Sequence, residues 1–457
     1  MKVLTGQRVV VVGLGTSGFA SARALLSLDA KVRVTEEQTS PVIEERASLL
    51  RDLGAEVEMG GHHFDRLDAD LAIVSPGIPP AAPVVKALVR GGVEIWSEIE
   101  LAFQLARCDF LAVTGTNGKT TTTSLLAEML RCGGVDSVAA GNIGLPLVDA
   151  VSSIPQGGAA VVEVSSFQLA TIITFSPKIA VLLNIAEDHT DWHGSIEAYA
   201  AAKSRIAENQ QSEDVFVVNS DDPLVMEAAA RAPSRLLPFS VDTVPVTPTG
   251  ISIGVSKDKV MWRGREVFGV GDVPMPGRGG LEDAIAAAGA ALEYGVAVDA
   301  VAGALRSFRP LPHRLELVAE VNGVSYIDDS KATNPHATLS AVRGMSQVVL
   351  IAGGRSKNID LTPLAAAAGP VVAVVAMGEA VAELETVFRD LVPVQRAGSM
   401  KDAVRLATEA SSARGSVLLS PGCASLDMYE SYAARGEAFA RAVHELAEEI
   451  GSRAEGM

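Results

Sequence analysis

Six consecutive residues, Gly115-Thr116-Asn117-Gly118-Lys119-Thr120, carry the groups that hold a nucleoside triphosphate. In such a loop, backbone N–H groups and a helix N-terminus face the phosphates. A lysine reaches the β and γ oxygens, and a threonine hydroxyl meets Mg²⁺. The setting agrees: an apolar run at 110–113 precedes the loop, and a helical pattern runs from 121 to 131. One position departs. The general pattern G-x-x-x-x-G-K-[ST] wants glycine five residues before Gly118, and Val113 stands there. A chance Gly-Lys-Thr after a strand is the competing reading.

Further chemistry follows along the chain. Glu163 ends an apolar strand-like run and precedes Ser165-Ser166-Phe167-Gln168. A carboxylate at the end of a strand beside a P-loop strand is where another Mg²⁺ ligand belongs. Asn184-Ile185-Ala186-Glu187-Asp188-His189 follows the next strand. A lone histidine there reads as a polar turn residue, but the shared sheet edge favours a role beside the triphosphate. Lys203, on an expected helix at 196–208, reads on its own as a solvated helix lysine. Nearer the N-terminus, Gly13-Leu14-Gly15-Thr16-Ser17-Gly18 follows the strand 9–12, with Glu36 about twenty positions on. That is a dinucleotide-type G-x-G-x-x-G with its acidic residue. An NAD-dependent oxidoreductase and a mere tight strand-to-helix turn both fit it. A second loop, Ser75-Pro76-Gly77-Ile78-Pro79, follows the strand 71–74 at the same sheet edge, so a phosphate-bearing ligand is expected there.

These groups need elements to position them. Strands are expected at 8–12, 31–35, 71–74, 110–113, 159–164, 179–184, 215–219, 324–328, 348–352, 371–376 and 417–420, with Ala/Leu-rich helical stretches between. Alternating strands and helices imply parallel sheets covered on both faces. Breaks fall near 96–98 and at the proline-stiffened stretch 309–313. The chain is therefore α/β, with three domains, each a mostly parallel sheet with flanking helices: Rossmann-like at 1–97, P-loop at 98–310 and Rossmann-like at 311–457. The turn-rich stretch 241–275 reads as short antiparallel strands inserted in the middle domain.

A chain of 457 residues, 48% hydrophobic, has room for such cores. Its formal charge of −17 argues against nucleic-acid binding through a global basic face. Three scattered cysteines without metal-ligand spacing suggest free thiols in a reducing compartment. With no signal-peptide pattern and no apolar run long enough to span a bilayer, a cytoplasmic protein without a membrane role is expected.

Taken in order, the motifs resemble the Mur ligase family, in its D-glutamate-adding branch. They are Gly115–Thr121, Ala140-Gly141-Asn142-Ile143-Gly144, Glu163–Gln168, Glu187-Asp188-His189 and Tyr199-Ala200-Ala201-Ala202-Lys203. The last third adds His313-Arg314, Asp329-Ser330-Lys331-Ala332-Thr333-Asn334, Gly353-Gly354 with Lys357, and Leu419–Ser425. The resemblance implies an ATP-dependent ligase that joins D-glutamate to UDP-N-acetylmuramoyl-L-alanine through an acyl phosphate. It implies ATP, two Mg²⁺ ions and CO₂ or bicarbonate as cofactors; a monomer is expected.

The same resemblance implies residue roles. Gly115, Thr116, Asn117, Gly118, Lys119, Thr120 and Thr121, with Arg314, Asp329 and Lys331, would bind ATP, and His313 belongs with that group. Lys119, Glu163, His189 and Lys203 would be catalytic. Thr120 and Glu163 would hold one Mg²⁺, and His189 with Lys203 the other. Lys203 would serve as a carbamate, since an ammonium cannot ligate a metal. Gly13, Leu14, Gly15, Thr16, Glu36, Glu37, Ser75, Gly77, Asn142 and His189 would meet the UDP-substrate. Thr333, Lys357, Ser425 and Tyr432 would meet D-glutamate.

Three places depart from the family pattern. Gly277-Arg278-Gly279-Gly280-Leu281-Glu282-Asp283 replaces Gly-x-His-Asn-x-x-Asn, Glu36-Glu37 replaces Asp-Thr, and Tyr432 replaces Phe. A non-catalytic sensor or scaffold that binds UDP-sugar peptides is the alternative that the first departure keeps open.

Overall fold

The computed structural model describes residues 4–63, 68–188, 190–247, 250–275, 277–343, 345–356 and 359–455. Among the described residues, twenty strands form three sheets. The first holds β1 (Arg8–Val12), β2 (Lys31–Glu36), β3 (Glu56–Met59), β4 (Leu71–Val74) and β5 (Glu94–Trp96), all parallel, in the order 3-2-1-4-5. The strand order reverses at β1, so the loops after β1 and β4 diverge and leave a crevice at their carboxyl ends. Those are the loops that begin with Gly13 and Ser75.

The second sheet holds β6 (Asp109–Thr114), β7 (Ser137–Gly141), β8 (Ala159–Glu163), β9 (Ile179–Leu182), β10 (Val215–Asn219), β11 (Arg235–Ser240), β12 (Ile253–Ser256), β13 (Lys259–Trp262) and β14 (Arg265–Gly269). Its order is 14-13-12-11-10-9-6-8-7. The strands from β7 to β12 pair in parallel, and β12 with β13 is antiparallel. The turn-rich stretch thus forms the short strands expected of it. The central strands β6, β8, β9 and β10 are buried along most of their length, which is why they read as continuous apolar runs.

The third sheet holds β15 (Glu316–Val321), β16 (Val324–Asp328), β17 (Val348–Gly353), β18 (Val371–Met377), β19 (Val394–Arg396) and β20 (Ser416–Leu419), in the order 15-16-20-17-18-19. Only β15 runs antiparallel to its neighbour. Two hydrophobic clusters, one on each face of this sheet, form its core.

By packing, the chain divides into two compact units. The first two sheets belong to one; residues 186–188, 269–284 and 306–457 make the other. The architecture is three-domain α/β with mostly parallel sheets. Among the described residues no helix is long and apolar enough to cross a membrane.

Candidate functional site

Strand β6 ends at Thr114, and the loop Gly115–Gly118 turns the chain into the helix Lys119–Cys132. Gly118 has φ +84°, a left-handed conformation that a side chain would strain. The loop is braced from the end of β9. Thr116 N–H donates to the Asn184 carbonyl at 2.9 Å, and Asn117 N–H to Asn184 Oδ1 at 2.8 Å. Asn184 Nδ2 returns a bond to the Asn117 carbonyl at 3.2 Å. Sequence reasoning named Asn184 only as part of a motif; its role as a strut appears only in the fold.

Two lysines converge on this loop. Lys119 Nζ donates to the carbonyls of Gly115 at 3.0 Å and Thr116 at 2.8 Å. Lys203 Nζ donates to the same Gly115 carbonyl at 2.7 Å and lies 4.4 Å from the Tyr199 ring centroid. The Tyr199 hydroxyl reaches Thr116 Oγ1 at 3.3 Å. Lys203 is 1% exposed, so the solvated-lysine reading is overturned. The helix Ile196–Ser204, followed by a short turn at Arg205–Ala207, buries Tyr199 and Lys203, one turn apart on one face.

Register places the acid. Glu163, the last residue of β8, pairs with Val113 on one side and Gly141 on the other, level with the start of the P-loop. It is 2% exposed. Its Oε1 accepts Asn142 Nδ2–H at 2.9 Å, and its backbone carbonyl accepts Asn142 N–H at 2.9 Å. Its Oε2 is buried and, among the described residues, has no hydrogen-bond partner. A buried carboxylate oxygen with no donor is costly. A hard divalent cation removes that cost, so this oxygen fits a Mg²⁺ ligand. Thr120 stands in the first turn of the adjoining helix. His189, assigned to metal and substrate, lies outside the described residues.

Sequence reasoning passed over His193. Its Nε2 is 2.9 Å from Ser166 Oγ, its ring stacks on Phe167, and it meets Tyr199 edge-on. The signal for it was weak: an imidazole four residues after a more conspicuous histidine.

In the first sheet, Gly18 lets its helix pack directly on the loop, because a Cβ there would strike the Gly13 carbonyl. Glu36 Oε2 accepts Leu14 N–H at 2.6 Å, and Arg46 Nη1 donates to the Leu14 carbonyl at 3.1 Å. The acidic side chain is thus engaged by the glycine loop itself. Glu37 and Gly77 are exposed; Gly15 and Thr16 begin the helix, and Ser75 Oγ approaches the Gly13 carbonyl at 3.5 Å.

In the third sheet, the carboxyl ends of the adjacent parallel strands β16, β20 and β17 gather the expected residues. Asp329 Oδ2 accepts Ser420 Oγ–H at 2.8 Å, and burial pushes its carboxyl up to about 7, opposed by the Ser420 hydrogen bond and the Arg314 charge. His313 Nδ1 lies 2.7 Å from Asp328 Oδ2, and its backbone N–H donates to Glu316 Oε2 at 2.9 Å. Lys331 Nζ sits 3.7 Å from the Tyr432 ring centroid, and the Tyr432 carbonyl accepts Ser330 Oγ–H at 2.8 Å. Tyr432, assigned to D-glutamate, is grouped with Lys331 of the expected nucleotide set. Thr333 is half-buried, Ser425 is buried, and Lys357 lies outside the described residues.

The departure at Gly279-Gly280 has a packing reason. A Cβ at Gly279 would stand 2.6 Å from Ser340 Oγ, and one at Gly280 would stand 2.5 Å from Met275 Cβ. Asp283 is buried.

Comparison with known proteins fits this geometry. Three family models match in order: the Mur ligase MurD-like N-terminal domain over residues 7–97, the Mur ligase middle domain over 113–291, and the Mur ligase glutamate ligase domain over 313–423. Among curated relatives, UDP-N-acetylmuramoylalanine--D-glutamate ligase of Frankia casuarinae is 42% identical over 96% of this chain and 94% of its own length. The protein of the same name from Syntrophotalea carbinolica is 40% identical over 98% and 99%. Among solved structures, MurF ligase from Thermotoga maritima aligns with TM-score 0.60 at 16% identity, over 98% of this chain and all of its own. A pseudomurein peptide ligase type C from Methanothermus fervidus gives 0.59 at 17%, over 96% and 100%. These structures speak to the fold alone. With such identity sustained over nearly its whole length, the chain belongs to the Mur ligase family.

Proposed function

We propose that this chain is an ATP-dependent ligase that adds D-glutamate to UDP-N-acetylmuramoyl-L-alanine, in peptidoglycan precursor synthesis. The observation that carries the reading is the edge formed by β6, β8 and β9. There the P-loop, the Glu163 oxygen that has no partner among the described residues, the half-buried Lys119 and the buried Lys203 meet. The names of the relatives supply the substrates.

The chemistry balances on those groups. A substrate carboxylate oxygen attacks the γ-phosphorus of ATP and ADP leaves, giving an acyl phosphate. The amine of D-glutamate attacks the acyl carbon, phosphate leaves, and the nitrogen loses a proton. Bound Mg²⁺ would supply charge neutralisation between the carboxylate and the triphosphate, held by Thr120 and Glu163 at one position and by His189 and Lys203 at another. Lys119 offsets charge on the transferring phosphoryl group. Asn184 holds the loop N–H groups in place.

Lys203 acts as a carbamate in this reading. The neutral amine adds to CO₂ and loses a proton, which turns a cation into an oxygen ligand. Two ammonium groups bonded to one carbonyl lie within about 6 Å of each other, and their repulsion favours the neutral amine.

The remaining assignments are proposals on the same footing. Gly13, Leu14, Gly15, Thr16, Glu36, Glu37, Ser75, Gly77, Asn142 and His189 serve the UDP-substrate. Gly115–Thr121 serve ATP, and Arg314, Asp329 and Lys331 are assigned to the nucleotide as well. Thr333, Lys357, Ser425 and Tyr432 serve D-glutamate. The functional domains run 1–97, 98–310 and 311–457, and the chain works as a cytoplasmic monomer. The test is phosphate release from ATP with UDP-N-acetylmuramoyl-L-alanine and D-glutamate. Turnover should require all three, and D-glutamate should far exceed L-glutamate, D-aspartate and meso-diaminopimelate. Equal turnover of L- and D-glutamate would refute the reading.

A further inference from the structure

Arg435 lies in the first turn of the helix Tyr432–Glu455 and is 2% exposed. Its position is unfavourable on three counts. Burial penalises the charge and pulls the guanidinium down to about 10. The N-terminal end of a 24-residue helix favours anions, not cations. Among the described residues, no carboxylate lies within ion-pair distance of it. Asp427 and Asp328 act on it only through space: Asp328 is engaged with His313 at 2.7 Å, and Asp427 accepts the Glu379 N–H through Oδ2 at 2.9 Å while its Oδ1 is buried without a partner among the described residues.

Its donors go entirely to neutral acceptors. Nε donates to Ser330 Oγ at 2.9 Å and Nη2 to the Ser330 carbonyl at 2.8 Å. Nη1 and Nη2 reach the Cys423 carbonyl at 3.1 and 3.2 Å, and Nη1 reaches the Gly353 carbonyl at 3.3 Å. These acceptors lie at the carboxyl ends of β16, β20 and β17. Thr333 follows Ser330 by three residues, and Ser425 follows Cys423 by two. The loops are also tied to one another, through Gly422 N–H to the Ala332 carbonyl at 3.0 Å and Arg355 N–H to the Ala424 carbonyl at 2.8 Å.

We infer that Arg435 is a positioning residue that determines specificity for the dianionic amino acid. Its guanidinium holds three loop ends together and supplies a positive charge whose counterion is a substrate carboxylate seated at Thr333 and Ser425. The inference rests on D-glutamate as substrate. It explains how a buried cation is tolerated where no carboxylate among the described residues meets it.

The test compares full-length wild type, Arg435→Lys and Arg435→Met by phosphate release, with melting curves for each. Wild-type turnover with D-glutamate comes first, and its absence would overturn both the substrate reading and this inference. Given that turnover, Arg435→Met should raise the D-glutamate KM on the order of tenfold or more, with the UDP-substrate KM unchanged. Arg435→Lys keeps a charge that burial makes titratable. Its D-glutamate KM, relative to wild type at each pH, should start near the wild-type value at about pH 7 and climb toward about pH 9 as the lysine deprotonates. A purely structural tether would not produce that slope. An unchanged KM in Arg435→Met, or a pH-independent KM ratio in Arg435→Lys, would overturn the inference while leaving the substrate reading intact. Should Arg435→Met fail to fold, the lysine series alone decides.

Discussion

Glu98 offers a quantitative test of how burial shapes this fold. It begins the helix Glu98–Leu105 and is 1% exposed. Oε1 accepts the Val148 N–H at 2.9 Å, which caps the start of the helix Leu147–Ser153, while the buried Oε2 has no partner among the described residues. Burial raises its carboxyl from 4.5 to about 7 against the opposing pull of the Val148 and Leu147 backbone N–H groups. The sign follows from linkage. A carboxyl raised in the folded state is neutral there while the unfolded chain is already ionised, so folding is favoured at low pH. That contribution is complete below 4.5 and is lost as pH rises through about 7. The full loss is about 3 kcal/mol. Glu98→Gln keeps the Oε1 acceptor and cannot ionise. Its stability relative to wild type should therefore increase by about 2 to 3 kcal/mol between about pH 5 and pH 8, most of it by pH 7. Urea unfolding followed by tryptophan fluorescence is the assay, since Trp96 is buried two residues away. A wild-type-to-variant difference that does not change with pH would refute the reasoning, as would a variant less stable than wild type at pH 8 by more than at pH 5.

Three further outcomes concern the P-loop edge. Asn184→Ala removes two bonds to Asn117, each worth about 1 kcal/mol, and should raise the ATP KM on the order of tenfold while leaving the D-glutamate KM unchanged. Glu163→Gln should shift the Mg²⁺ dependence of phosphate release to concentrations at least about tenfold higher, because it replaces the carboxylate oxygen that has no partner among the described residues; an unchanged Mg²⁺ titration would exclude Glu163 as a ligand. Lys203→Ala should be nearly inactive. Stripping CO₂ should lower wild-type activity and bicarbonate should restore it, and full activity with demonstrably unmodified lysine would rule out the carbamate.

The sequence by itself determined the class of fold and most of the strands that face the site. β1, β4, β6, β8 and β17 are buried on both faces and read as apolar runs ending at Gly13, Ser75, Gly115, Val164 and Gly354. What it concealed has an ordering. β3, β5, β7, β15 and β19 are all edge strands, where one side lacks a neighbour and the apolar signal is short or broken, as in Glu56–Met59 and Val394–Arg396. β11 is interior, but Pro238 within it argues against a central strand. Its pairing with Val218 in β10 shows the exception. Residue types and spacing pointed to Lys119 and Glu163, since a triphosphate and its cation need those groups at those strand ends. Burial belonged to the tertiary structure alone. It turned Lys203 from an apparent surface lysine into one bonded to the P-loop, left Glu163 with an open oxygen, and enclosed Glu98 and Arg435. A side chain's charge is written in its residue type, but its energy depends on the solvent it loses and the donors it meets, and those are set by elements distant in sequence.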